Sequence, residues 1–399
     1  MSWQLYLSLS ILMFMEYAIW GAWAPVLAAR LVGPLKLSGK QAGWVYATLP
    51  LACIVSPLVA GQLADRWLNC EWIIGVGQLA GGILLLVAAR QTRFKPLFLS
   101  MLFFALCYAA TLPLVNSLMF HQLAANNLDV GTYSPGIFIW APVAWALAGY
   151  FLTGWRWIFK TGEEGRDCLY LAGALSIIMA ATCLFMPSTP PAGLGGVPIV
   201  KAMGALGNMS FLVFIIISLV TAGLMQFYFL GTAPFMQDMG IPPKNVPGSM
   251  AIAQVVQALA TLFLMAQFLD SIGFRWTLAI GASCWFALYI IYINEKPRWL
   301  IVASQSLHGL AYVFFIIVGQ VFANSVAPED IRGSMQALIF AATTGVGLFL
   351  GTHFAGAVMD KFRKEQKFQW RPIFLVPCLI MLGCAVALVL FFRENITLQ

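Results

Sequence analysis

The stretch "GQLADRW" (61–67) joins two apolar runs and places an acid and an arginine in a tight turn. In the second half of the chain, "FLDSIGFRW" (268–276) does the same. The two turns follow the second and the eighth of twelve apolar runs. Each run is long enough to cross the ~30 Å hydrocarbon core of a bilayer as a helix. The pattern predicts twelve spanning helices in two pseudo-symmetric bundles of six. The runs lie at residues 4–30, 43–63, 72–90, 96–120, 135–155, 168–187, 210–236, 247–269, 276–294, 299–325, 333–358 and 372–393.

The composition excludes a soluble protein. Of the 399 residues, 61% are hydrophobic and 9% are charged, whereas soluble domains carry roughly 25% charged residues. Runs of this length favour helices over the short alternating strands of a membrane barrel. The class is therefore an all-α membrane protein.

Several other classes of function are not supported by the sequence. The net charge of +7 is spread over short loops without a basic run, so no nucleic-acid partner is expected. The eight cysteines form no C-x-x-C pair, which favours packing over disulfide or metal roles. The chain carries no phosphate-binding loop and no catalytic triad, so we expect no enzyme, cofactor or metal. We expect no cleaved signal segment.

The break between the sixth and seventh runs is rich in proline and glycine and predicts a linker. We expect a first bundle at 1–187, a cytoplasmic linker at 188–209 and a second bundle at 210–399. A further weak repeat supports this division: "LCYA" (106–109) matches "LAYV" (310–313), and Asn116 and Gln320 each follow the tyrosine by eight residues. Parallel repeats of six helices are typical of one transporter architecture.

A single carboxyl group lies deep in the first run. Glu16, Trp20 and Trp23 are spaced to share one helix face. A carboxylate at mid-span costs about 2.5–3.5 kcal/mol and usually faces a cavity or the bundle interior. Burial disfavours its charged form, which suits such a group to proton transfer, and the tryptophans offer surfaces on which a ring can stack. The alternative is a neutral Glu16 in a structural hydrogen bond, with Trp23 at the membrane interface.

A few other polar and aromatic side chains also fall within apolar runs. Amide groups both donate and accept, which suits recognition of hydroxyl groups and base edges. The alternative is that they hold helices together, at ~0.6 kcal/mol per hydrogen bond. The candidates for substrate binding are Asn116, Gln226, Tyr228, Gln257, His308 and Tyr312.

The chain resembles the major facilitator superfamily in "GQLADRW", which matches the loop motif G-x-L-A-D-R, and in "APEDIRG" (327–333). Within that superfamily it resembles the nucleoside:proton symporter family along most of its length. The stretches that carry this resemblance are "WGAW" (20–23), "ADRWLNCEW" (64–72), "TLPLVNS" (111–117), "IFIWAPVAW" (137–145) and "IRGSMQALIF" (331–340). The resemblance implies a carrier that moves nucleosides by alternating access, coupled to protons.

The resemblance also implies structural latches at the ends of helices. In the superfamily motif an acid and an arginine bridge neighbouring helix ends. The corresponding residues here are Asp65, Arg66, Asp270, Arg275 and Arg332.

The chain departs from this family at charged positions. Phe138 stands where the family has an arginine, Val313 where it has the aspartate associated with proton coupling, and Ala260 where it has a glutamate. Glu16 matches a family glutamine. We therefore expect Glu16 to replace the missing acid as the protonation site.

The aromatic frame of the family is retained. His308 takes the place of a tyrosine, while the family's glutamine at 257 and the aromatic residue at 312 persist. Together with Trp140 from "IFIWAPVAW", Phe138, Gln257 and His308 are expected to line one central cavity.

The orientation is a point of conflict. With a cytoplasmic N-terminus, only five of the 22 lysines and arginines lie on the inner side, against the positive-inside rule. The superfamily motif nevertheless implies that both termini are cytoplasmic, in a bacterial inner membrane. We expect a monomer that contacts lipid, a nucleoside-like solute and a proton. The alternatives are a carrier or uncoupled facilitator for another small polar solute, or a membrane sensor that transports nothing.

Overall fold

The computed structural model describes residues 1–128, 133–191, 204–327, 335, 338–365 and 367–394. For residues 58, 62, 65 and 66 it describes only the backbone. Among the described residues, eleven helices are long and apolar enough to cross a membrane, and the helix Asp167–Cys183 is apolar but shorter, with 17 residues. The prediction of an all-α chain with many spans is confirmed.

The described residues of the first half form six apolar helical segments, five of them long enough to span. They are α1 (Trp3–Val32), α2 (Gly39–Arg66), α3 (Cys70–Arg90), α4 (Phe94–Ala125), α5 (Tyr133–Phe159) and α6 (Asp167–Cys183). Two of them are interrupted: α1 consists of Trp3–Trp23 and Leu27–Val32, and α5 contains Pro135–Phe138 and Trp140–Phe159. The first helix begins where the Ser2 hydroxyl accepts a hydrogen bond from the Leu5 N–H, as expected for an N-cap.

The second half contains the other six. They are α7 (Met209–Asp238), α8 (Val246–Phe263), α9 (Met265–Asn294), α10 (Arg298–Val326), α11 (Leu338–Lys361) and α12 (Trp370–Phe391). A 3₁₀ turn, Ala205–Gly207, precedes α7, which is divided into Met209–Leu224 and Gln226–Asp238. The short strands β1 (Arg363–Lys364) and β2 (Lys367–Phe368) pair antiparallel between α11 and α12.

Two spans in this half contain π-helical turns. In α10, Arg298–Ala303 and Gln305–Ala311 are followed by the π segment Tyr312–Ile317 and by Val318–Val326. In α11, the π segment Ala341–Gly347 is followed by Leu348–Lys361. Such i→i+5 turns are rare and occur frequently at functional sites.

The turn expected in "FLDSIGFRW" lies inside α9. Gly273 has a non-helical backbone with φ 72° and ψ −178°, a conformation that suits glycine because it has no Cβ atom. The residues from Met265 to the turn therefore form a helical piece separate from the rest of α9. Glu394, just after α12, accepts hydrogen bonds from the N–H groups of Phe274 and Arg275.

Small residues allow close contact between α7 and α11. A Cβ atom added to Gly351 would lie 2.1 Å from the Gly223 carbonyl oxygen, and one added to Gly347 would lie 2.9 Å from the Leu219 carbonyl oxygen. Helices in lipid associate through such van der Waals packing, because lipid tails remove the hydrophobic driving force between them. This contact holds α7, which carries candidate site residues.

Over the described residues, the chain forms two compact units. The first comprises Met1–Leu37, Leu51–Gly195 and Pro242–Ala251, and the second comprises Ser38–Pro50, Gly196–Ile241 and Ile252–Gln399. The start of α2 thus groups with the second unit, where the Asp360 carboxylate accepts hydrogen bonds from the N–H groups of Gly39 and Lys40. Residues 192–203 of the expected linker lie outside the described residues, and the division at 188–209 stays a prediction.

Candidate functional site

Glu16 lies in the middle of α1, with its side chain 1% exposed. Its Oε1 atom is 2.8 Å from the Thr111 hydroxyl on α4, and its Oε2 atom accepts a hydrogen bond of 2.9 Å from the Gln78 amide on α3. Both partners are buried. Each carboxyl oxygen therefore has a partner that offsets the loss of hydration. The group faces the interior of the first unit.

The hydrogen bonds continue beyond Glu16. Ser176 on α6 contacts the Gln78 amide oxygen at 2.6 Å, and the Gln78 amide nitrogen also donates to the Thr111 hydroxyl at 2.9 Å. The Tyr108 hydroxyl on α4 donates to the backbone carbonyl of Glu16 at 2.6 Å. We call these five residues the Glu16 cluster. It joins α1, α3, α4 and α6 through buried polar contacts.

The two tryptophans of α1 also pack on neighbouring spans. Trp20 contacts Trp145 on α5 with ring centroids 5.7 Å apart, and Tyr108 with centroids 6.4 Å apart. Trp23 is buried and packs edge-on against Phe104, at 6.1 Å. Glu16, Trp20 and Trp23 therefore all contact α4.

The other candidates of the first unit lie on α4 and α5. Trp140 donates to the Tyr6 hydroxyl at 3.2 Å, and Phe138 packs edge-on against Phe120, with ring centroids 6.2 Å apart. The buried Oδ1 atom of Asn116 has no hydrogen-bond partner among the described residues. An unsatisfied acceptor of this kind is available to a ligand that donates.

His308 on α10 is the centre of a second buried group of residues. Its ring stacks face to face on Tyr228 of α7, with centroids 3.7 Å apart and planes 7° apart. Trp285 on α9 donates from its indole N–H to the Nδ1 atom of His308 at 3.0 Å. Because Nδ1 accepts, the proton of a neutral imidazole lies on Nε2. The packing thus fixes His308 as a hydrogen-bond donor.

Amide and phenol groups extend the His308 group toward α9. The Tyr228 hydroxyl donates to Gln305 Oε1 at 2.9 Å, and Gln305 Nε2 donates to the Tyr292 hydroxyl at 2.8 Å. Gln305 is completely buried and lies one helical turn before His308. Gln305, Trp285 and Tyr292 are not among the residues predicted from the sequence. The i, i+3 spacing of Gln305 and His308 was the available signal.

Two further glutamines, Gln226 and Gln257, are buried in the second unit. Gln226 begins the second piece of α7, is 4% exposed, and its Oε1 atom has no partner among the described residues. Gln257 is buried on α8. A Cβ atom added to Gly309 would lie 2.9 Å from the Gln257 backbone nitrogen. The structure therefore brings Tyr228, Gln257, His308 and its neighbour Tyr312 together in one unit.

Phe138 and Trp140 belong to the first unit, whereas Gln257 and His308 belong to the second. That these four side chains line one cavity stays a prediction.

The expected latches are described only in part. The side chains of Asp65 and Arg66, and the whole of Arg332, lie outside the described residues. Asp270 is exposed, and the Arg275 guanidinium donates to the Val389 carbonyl oxygen at the end of α12. Together with the Glu394 contacts, this fastens the Gly273 turn of α9 to the end of α12. Within the described parts of the chain, no group of three His, Cys, Asp or Glu side chains is placed to hold a metal ion.

A family model described as "Nucleoside H+ symporter" matches residues 3–397. The nucleoside permease NupG of Escherichia coli (strain K12) is 27% identical over 391 residues, which cover 93% of this chain and 91% of the relative. The xanthosine permease of the same strain is 25% identical over 97% of this chain and 96% of its own. A crystal structure of the nucleoside transporter NupG superposes with a TM-score of 0.85 at 26% identity, covering 98% of this chain and 99% of that one. The prediction of a major facilitator fold is confirmed.

Proposed function

The chain belongs to the nucleoside H+ symporter family, and we propose that it carries nucleosides together with protons across the bacterial inner membrane by alternating access. The observation that carries this proposal is the arrangement of flat rings and amide groups on α7, α8 and α10. Aromatic rings give a nucleobase a surface on which to stack, and amides match its donors and acceptors.

Each polar group around His308 has a definite hydrogen-bonding role in binding. The fixed donor of His308 suits a base carbonyl oxygen, because Trp285 already occupies the other ring nitrogen. The free Oε1 atom of Gln226 suits a donor, such as a ribose hydroxyl or a base N–H. A nucleoside offers both kinds of group at once. We propose that Gln257 and Tyr312 complete this binding surface.

We assign the proton to Glu16. It lies at mid-span, whereas Glu71, Asp167 and Asp360 lie within the first or last turn of their helices. Val313, in the place of the family's aspartate, is completely buried among apolar neighbours and offers no proton site. A proton that crosses a membrane releases about 2.3 kcal/mol per 100 mV of potential, which is sufficient to drive a nucleoside uphill.

Uptake of radiolabelled uridine and adenosine into a host that lacks nucleoside transport tests the function. Accumulation above the external concentration, abolished by a protonophore, is the expected result. Equilibration without accumulation would instead support a facilitator, which the apolar Val313 favours as the second candidate. If no nucleoside, nucleobase or sugar enters, the chain is a carrier for another solute or a sensor.

We also propose that the chain works as a monomer with both termini in the cytoplasm. A reporter enzyme active only in the periplasm should stay silent when fused after Gln399. The same reporter placed in the 160–165 loop should be active, and the reverse pattern would overturn the orientation.

A further inference from the structure

The Thr111 hydroxyl has more acceptors than hydrogens. It lies 2.8 Å from Glu16 Oε1 and 2.8 Å from the backbone carbonyl oxygen of Tyr108, one turn earlier in α4. A hydroxyl has one hydrogen, so it cannot donate to both. The third contact, from the Gln78 amide nitrogen, supplies a hydrogen to Thr111 and so cannot satisfy either acceptor.

The protonation state of Glu16 decides between these two acceptors. When Glu16 is ionised, both of its oxygens can only accept, so the Thr111 hydrogen must point to Oε1. When a proton binds at Oε1, the acid donates it to the Thr111 oxygen. The Thr111 hydrogen then rotates to the Tyr108 carbonyl. The Gln78 amide oxygen faces Ser176, and its nitrogen donates to Glu16 Oε2 and to Thr111.

The affected part of α4 is weakened by a proline. Pro113 lies inside the helix, so the carbonyl of Ala109, four residues earlier, receives no backbone hydrogen bond from it. Hydroxyl groups that bond back to their own helix bend it, and a bend is easiest where a proline has removed a bond. Asn116, with its unsatisfied buried oxygen, lies on the far side of Pro113.

Among the described residues of α1, α3, α4, α5 and α6, Glu16 is the one charged side chain outside the end turns. Among the described residues, the titratable groups that interact with Glu16 are the Tyr108 phenol on α4 and the Cys183 thiol on α6. The charged side chains of the surrounding helices lie in end turns: Glu71 and Arg90 on α3, Lys95 on α4, Arg156 on α5 and Asp167 on α6.

We propose that Thr111 is a positioning residue that converts protonation of Glu16 into a bend of α4 at Pro113 and so moves Asn116. This inference rests on the proposed function, since it assigns the route by which protonation of Glu16 affects the solute-binding side chains. In this proposal, Glu16 and Asn116 both act on α4, which is either more or less bent at Pro113. Two sites that bias the same two-state element meet the physical requirement for coupling.

Three variants test the route. Thr111→Val keeps the shape of the side chain and removes the hydroxyl, and Thr111→Ser restores the hydroxyl. Thr48→Val is the matched control, because Thr48 is equally buried and bonds back to Val45 at 2.7 Å. In proteoliposomes, Thr111→Val should reduce proton-driven uridine accumulation about fivefold to tenfold, which is the effect expected for the loss of one hydrogen bond. It should flatten the pH profile and leave uridine exchange close to the parent's. Thr111→Ser and Thr48→Val should behave like the parent.

A second measurement does not depend on transport. The pH-difference infrared spectrum of the purified chain should show a carboxyl C=O band that Glu16→Gln removes and Thr111→Val shifts. The proposal is overturned if the band is unchanged in Thr111→Val. It is also overturned if Thr111→Val reduces exchange and accumulation to the same extent and keeps the pH profile of the parent. If the parent carries no nucleoside but the band still responds to Thr111, the transport function fails and the Thr111 contact stands.

Discussion

The Arg156 guanidinium and the Asp167 carboxylate form a doubly hydrogen-bonded ion pair inside the first unit, with both contacts at 2.7 Å. The side chains are 3% and 6% exposed. Arg156 also donates to the Pro243 carbonyl at 3.0 Å, and the Thr161 hydroxyl donates to Asp167 at 2.9 Å. The pair therefore fastens the end of α5 to the start of α6 and to the loop before α8.

Removing one charge of this pair should destabilise the chain strongly. Asp167→Asn leaves the guanidinium buried without its counter-charge, which costs about 3–5 kcal/mol of the free energy of unfolding. Thermal unfolding of the purified protein in detergent measures the loss. The control is Glu164→Gln, because the Arg166–Glu164 pair is exposed and such pairs contribute ~0–1 kcal/mol. Equal effects of the two variants would contradict the prediction.

His308→Phe should weaken nucleoside binding and also lower the free energy of unfolding by about 1–3 kcal/mol, because the buried Trp285 N–H loses its acceptor. The phenyl ring can still stack on Tyr228, but it loses the donor that we assign to the base carbonyl. We expect the Kd of uridine to rise about tenfold, as for one buried hydrogen bond, by calorimetry on the purified chain. His353→Phe is the control, since His353 on α11 packs edge-on against Trp44 of α2 and Phe349 of α11. Parent-like affinity of His308→Phe would remove His308 from the site.

Glu16→Gln should separate proton coupling from binding. The amide keeps the size of the side chain and a hydrogen-bond acceptor for Gln78, so binding and exchange of uridine should continue. Uphill accumulation should be lost and uptake should no longer depend on pH, because the group that takes up the proton is gone. Glu71→Gln serves as control, since Glu71 is also buried but bonds Asn69 and the Thr189 N–H at the start of α3. An unchanged pH profile in Glu16→Gln would make Glu16 a structural residue.

Gly351→Ala should force α7 and α11 apart. The added methyl group would lie 2.1 Å from the Gly223 carbonyl oxygen, with backbone rather than a flexible side chain in its way. Strain of this kind typically costs about 1–3 kcal/mol, visible as a lower unfolding temperature. Gly383→Ala on α12, where the methyl group meets nothing within 4 Å, should unfold like the parent. Indifference to both changes would show that the two helices are not in close contact.

The spans could be predicted because lipid demands long apolar helices, and a run of that length has few other structures available. The turn at Gly273 was predictable because polar residues interrupt the apolar run there. The break at Met225 was not, because the Leu224 carbonyl oxygen accepts a hydrogen bond from the Tyr289 hydroxyl, far away in the sequence. At Ser304, the Ser304 hydroxyl and the Gln305 amide donate to the Ile301 carbonyl oxygen, a local pattern that unbroken helices also contain.

The site was predicted less completely than the fold. Glu16 stood out because a carboxyl group is rare at mid-span. Its partners Gln78 and Ser176 did not, because single uncharged polar residues are common in spans and their pairing between helices leaves no spacing in the sequence. The Arg156–Asp167 pair was missed for a similar reason, as charges near helix ends were read only as loop charges.

The π segment of α10 affects how residues are matched between relatives. A π turn holds one residue more than an α turn, so it lets a chain absorb a single inserted residue while both flanking pieces of helix keep their packed faces. Val313 lies inside this segment. In a relative without the π turn, an alignment without a gap in α10 would place every later residue on a different helix face. The counterpart of Val313 in such a relative is therefore found by superposing the helices.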